Sequence, residues 1–74
     1  MSKTEDDDPT LESVHRVLTL LRALAYFGNS WFGVTQLAER WKQPKSTTHR
    51  YLQALLKEGI VEYDEDMRKY HVKK

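Results

Sequence analysis

A lysine, a serine, two threonines, a histidine and an arginine fill positions 45–50 directly after Pro44, and Gln53 follows within the next turn. Hydroxyls beside a histidine suggest a nucleophile, yet Ser46, Thr47 and Thr48 lack an evident base and orienter of the kind that activates such a group. The paired acids fall in an opening run and in a turn, where nothing would hold them for acid–base work. His15, His49 and His71 lie on three different elements without ligand spacing, and the chain has no cysteine. No catalytic residue, metal or cofactor is expected. What these side chains can do is bind. An arginine fork pairs with guanine, a carboxamide pairs with adenine, and a hydroxyl bonds to a base edge or a phosphate.

The elements that would position them follow from periodicity. Val14, Val17, Leu18, Leu21, Leu24 and Ala25 recur at spacings of three and four, which predicts an amphipathic helix over residues 9–27 with this face inward. Asp8 or Thr10 can cap it, and Pro9 suits its first turn. Gly28-Asn29-Ser30 stops it. Leu11, Leu20 and Phe27 fall beside the inward face and are expected to form a dimer interface. Trp31 and Phe32 read as a short extended anchor, with Trp31, Phe32 and Trp41 as core or rim residues.

A second helix is expected from Gly33 or Val34 to Trp41, and a third over residues 44–58, ending at Gly59. With Thr48 and Leu52 facing inward, Ser46, Arg50, Gln53 and Lys57 point away from the core, and Thr47 and His49 lie on the flanks. Serine, threonine and histidine are poor helix formers. Their presence here makes sense as a reading surface. Ile60, Val61 and Tyr63 then predict a strand, residues 64–67 a turn, and residues 68–73 a returning strand with Tyr70 and Val72 on one face. Three helices and a hairpin, mainly α, are the order of a winged helix-turn-helix.

The 74 residues make one small domain, residues 9–74, preceded by a polar acidic tail over residues 1–8 that is expected to be disordered. The net charge of +1 conceals a division. Glu5, Asp6, Asp7 and Asp8 sit together, and the chain after them carries eleven bases against seven acids. Residues 40–50 and 67–74 hold bases and no acids. Lys42 and Lys45 therefore stand beside the start of the third helix, whose free N–H groups favour anions. Arg68 and Lys69, with His71, could follow a nucleic-acid backbone from the hairpin. No stretch approaches the ~20 apolar residues of a membrane span, and a cytoplasmic protein is expected.

The chain resembles a known family. "VHRVLTLLRAL" followed by "VTQLAERWKQPKSTTHRYLQALLKEGIVEYDEDMRKYHV" is similar to the N-terminal DNA-binding domain of IclR-type transcriptional regulators. The most specific piece is Pro44-Lys45-Ser46-Thr47 with His49-Arg50, then Leu52, Leu55, Gly59, Val61 and Tyr70. The resemblance implies that the third helix is the recognition helix, with Lys45, Ser46, Thr47, His49 and Arg50 facing DNA. It also implies that the first helix helps pair two subunits on a palindromic operator. Two positions depart from the family's pattern. Lys42 stands where a small or glycine-like turn residue is usual, and Met67 where the hairpin turn usually has glycine. Family members normally continue into an effector-binding domain, whereas these residues end at the hairpin.

The resulting expectation is a homodimeric transcriptional regulator that binds double-stranded DNA sequence-specifically. Arg50, Ser46, Thr47 and Gln53 would contact bases or the groove; Lys45, Lys42, Arg68 and Lys69 would contact phosphates. The alternative is a winged-helix module for protein–protein interaction that lacks specific DNA binding.

Overall fold

The computed structural model describes residues 9–73, with side chains from Leu11 onward. The acidic run with Asp8, the side chain of Thr10, and Lys74 lie outside what is described, so neither capping role is placed. Three helices, α1 (Pro9–Phe27), α2 (Val34–Trp41) and α3 (Lys45–Lys57), precede two strands, β1 (Val61–Asp64) and β2 (Lys69–Val72). The strands are antiparallel, with Val61 opposite Val72 and Tyr63 opposite Tyr70.

The core gathers one apolar side from every element. Leu20, Ala23 and Leu24 of α1 meet Leu37, Ala38 and Trp41 of α2, Leu52 of α3, Val61 and Tyr70 of the hairpin, and Phe32. Leu24 is buried as expected, but most of the face of α1 that was expected inward is turned outward. Val14, Val17, Leu18 and Leu21, read as the inward face, are all exposed, at 43–54% of their accessible surface. Leu20, expected at a dimer interface, is only 2% exposed, and Phe27 is half-buried against the core. Leu11 alone of the three expected interface residues is exposed.

The cause is geometric. The helix carries two apolar stripes at helical spacing, and its 19 residues extend about 28 Å, so only the C-terminal half meets the rest of the domain. Periodicity detects both stripes equally and does not choose between them.

Polar contacts set the helix crossings. The Trp41 indole Nε1–H of α2 donates to Thr19 Oγ1 at 2.9 Å and to the Arg16 carbonyl at 3.2 Å, tying the end of α2 to α1. At the start of α3, Thr48 is fully buried and its Oγ1–H donates to the Pro44 carbonyl at 2.9 Å, which also accepts the Thr48 backbone N–H. Threonine at this core position thus satisfies its own hydroxyl within the helix.

Phe32 joins the hairpin to the helices. It forms an isolated bridge with Tyr70, the two backbones exchanging N–H···O bonds of 2.9 and 2.7 Å. The extended anchor expected at Trp31-Phe32 is therefore a third, single-residue partner to β2. The hairpin turn differs in detail from its expectation: the positive φ falls on Arg68 (57°), not on Met67, whose N–H instead donates to Asp64 Oδ1 at 3.0 Å.

The two stripes of α1 are separated by a direct comparison. Leu20→Ala should lower unfolding free energy by about 2–4 kcal/mol through reduced burial and a residual cavity, whereas Leu18→Ala should change it by less than about 0.5 kcal/mol in dilute protein. Urea denaturation of both variants checks this.

Candidate nucleic-acid interface

Helix α3 starts abruptly. Pro44 has φ −60° and ψ 153°, an extended geometry that a proline ring favours and that ends the preceding turn. No side chain caps the first turn, so its N–H groups remain turned outward beside Lys45 and Ser46. With Thr48 and Leu52 held in the core, the outer strip is fixed. Lys45, Ser46, His49, Arg50, Gln53 and Lys57 are exposed, and Thr47 is half-buried at the flank. Ser46, Thr47, His49, Arg50, Gln53 and Lys57 lie where the helical periodicity places them, and Lys45 is exposed as the first residue of the helix.

The helix does not stand alone. Lys45 and His49 share a groove with Arg68 and Tyr63 of the hairpin and with the N-terminal turn of α2 at Gly33 to Gln36. That turn is closed by Gln36, whose Oε1 accepts the Gly33 N–H at 2.8 Å. A second groove, at the other end of α2, is bordered by Arg22, Arg40 and Lys42 over Thr19 and Trp41. Arg22 had no signal in the sequence, because α1 reads as a packing helix. Arg40 is held by a cation–π contact, its guanidinium carbon 3.6 Å from the centroid of the exposed Tyr26 ring.

Three expected contact residues have other engagements. The Gln53 carboxamide donates to the Tyr70 hydroxyl at 3.2 Å and lies 3.4 Å from His49 Nε2, so it links α3 to β2. Lys69 is half-buried and sits opposite Asp64 in the ladder. His71 is stacked on Trp31 with ring centroids 4.7 Å apart, and its buried Nδ1 has no hydrogen-bond partner. It belongs to the back of the hairpin.

Tyr70 is the centre of the link. Its ring packs against Tyr63 (4.7 Å) and Phe32 (6.3 Å). Burial raises its hydroxyl above the ordinary value of 10.0, and Tyr63 adds to the rise, while the Gln53 hydrogen bond acts in the opposite direction. Among the described residues, no group of three or more His, Cys, Asp or Glu is placed to hold a metal ion, and no helix is long and apolar enough to cross a membrane.

Two successive helices joined by a short turn, the second with its polar strip outward, and a hairpin closing against it define a winged helix-turn-helix domain. The chain belongs to the IclR helix-turn-helix domain family, whose model matches residues 13–65, from α1 through the whole of α3 and β1. This is a family of DNA-binding transcription regulators rather than of enzymes. No curated protein and no solved structure matches the chain.

The link between α3 and the wing gives a prediction. In a double-mutant cycle, Gln53→Leu and Tyr70→Phe should show a coupling energy of about 0.5–1 kcal/mol, the size of one neutral hydrogen bond. The raised Tyr70 hydroxyl adds a pH signature. The unfolded chain ionises first, so stability falls as pH climbs past about 10, and Tyr70→Phe should remove that part of the loss.

Proposed function

We propose that this domain binds double-stranded DNA sequence-specifically, with α3 in the major groove and the hairpin as a wing on the flanking backbone. The observation that carries the reading is the outer strip of α3. Ser46, His49 and Arg50 are exposed on one side of a helix whose first turn is uncapped and flanked by Lys42 and Lys45. Arg50, one turn in, is the base reader, with its fork on a guanine edge. Ser46 and Thr47 make shorter groove or phosphate contacts at the helix start. Lys45 and His49 meet phosphate together with Arg68 across their shared groove. Lys69 supports the wing from a half-buried position. Gln53 positions the wing through Tyr70 and contributes less to base reading than its exposure alone would indicate.

The domain acts as a homodimer on a palindromic operator. Support comes from Leu11, Val14, Leu18 and Leu21, spaced three, four and three residues apart along the exposed side of α1. That is the spacing of a helix–helix seam. A second copy would cover a stripe that the protomer leaves in water, and two half-sites raise specificity above what one recognition helix reads. These residues replace Leu20 and Phe27 as the pairing surface, with Leu11 common to both. Leu18→Glu should yield monomers by sedimentation while leaving the protomer folded.

Selection of bound sequences from a random duplex pool tests the reading. It should return a two-fold motif, and Arg50→Ala should lose about 1–3 kcal/mol of discrimination at one position of each half-site. Recovery of no motif, with equally weak binding of every duplex, would remove DNA recognition. The exposed α1 stripe would then favour the second reading, a module that docks another protein.

A further inference from the structure

Each of the three helices is followed within two residues by one with left-handed backbone geometry: Gly28 (φ 57°), Lys42 (φ 63°) and Gly59 (φ 76°). At the end of α3 the Gly59 N–H donates to Leu56 O at 3.0 Å and the Ile60 N–H to Leu55 O at 2.9 Å. At the end of α2 the N–H groups of Lys42 and Gln43 both reach Ala38 O, the latter at 3.1 Å. These are closely related helix stops, which satisfy the last carbonyls by turning the chain left-handed. In that geometry the Cβ of an L-residue crowds the following carbonyl, so glycine is the usual occupant. The chain uses glycine at two of the three stops and lysine at the one that leads into α3.

The hairpin repeats the choice. Arg68, the last residue of the turn, has φ 57°, and its N–H donates to Asp64 O at 2.7 Å. Among the described residues, the non-glycine positions with positive φ are therefore Lys42 and Arg68, and both are exposed bases. Each also borders a basic groove. Lys42 lies with Arg22 and Arg40 at the end of α2, and Arg68 lies with Lys45 and His49 between α3 and the hairpin. Strain at a turn is tolerated when something else requires the side chain, and here the two strained side chains carry the same charge.

We propose that Lys42 and Arg68 occupy glycine positions because their cations grip the DNA backbone at two separate places beside the recognition helix, with Arg22 and Arg40 completing the Lys42 grip. The domain gives up stability at both turns in exchange for phosphate contacts. This rests on the DNA-binding reading above. It adds a contact surface from α1 and the end of α2, and it assigns the departure from glycine a cause.

The test uses Lys42→Gly, Arg68→Gly, Lys42→Asn, Arg68→Asn and Arg22→Gln in the full chain, all at one protein concentration. Asparagine accepts left-handed geometry without supplying charge, so it separates backbone from cation. Each glycine variant should raise the thermal midpoint by roughly 2–5 °C. Each glycine or asparagine variant, and Arg22→Gln, should reduce the slope of log K against log salt on the preferred duplex by about 0.9, the value for one phosphate no longer neutralised. The ranking of different duplexes should not change. A glycine variant that is more stable but keeps the wild-type slope overturns the proposal, because the strain then serves no DNA contact. A glycine variant with a reduced slope and no gain in stability overturns it too, because no strain was released. In both cases the wild type still binds DNA and the DNA-binding reading survives. A wild type that binds no duplex refutes both.

Discussion

The backbone of Tyr70 exchanges two hydrogen bonds with Phe32, its ring closes the core, and its hydroxyl accepts from Gln53 on α3. An isolated two-stranded hairpin is marginal in water. Here, pairing to Phe32 on one side and the Gln53 bond from α3 on the other fix β2 against the helices. A DNA surface assembled from two elements needs that fixity, since a displacement of either would break the register between groove and backbone contacts. The polar strip of α3 has a similar dependence on Thr48 and Leu52, whose burial in the core sets which side chains face out.

Charge is arranged around this frame rather than spread evenly. The grooves at the two ends of α2 are bordered by different sets of bases, and the uncapped start of α3 adds the positive end of a helix dipole. On the proposed reading, sequence preference would reside in the exposed strip of α3 and general affinity in the bases at the turns.

Much of this was legible in the sequence. Proline before a cluster of hydrogen-bonding residues and glycine after an apolar stripe defined α3 to within its caps, because those residues have strong local preferences. The hairpin was equally visible from alternating apolar residues around an acidic turn. The orientation of α1 was not, because two stripes of similar strength fit one helix and only tertiary packing chooses between them. Leu20 and Leu21 are neighbours in sequence, yet one is in the core and the other in water. The roles of Gln53 and His71 were hidden for a related reason. Exposure follows from periodicity, whereas a bond to Tyr70 or a stack on Trp31 depends on residues 17 and 40 positions away. Lys42 stands out in the sequence as a lysine in a glycine-like position, and the left-handed geometry explains why. In the hairpin the same geometry fell one residue later than the sequence indicated, at Arg68.

Backbone amide resonances of isotopically labelled protein, followed during titration with a preferred duplex, would map where the domain meets DNA. The largest changes should fall over residues 45–50, with further changes at Lys42 and in the turn over residues 65–68, and small ones along the exposed stripe of α1. Changes concentrated at Leu11, Val14, Leu18 and Leu21, with residues 45–50 undisturbed, would contradict recognition through α3.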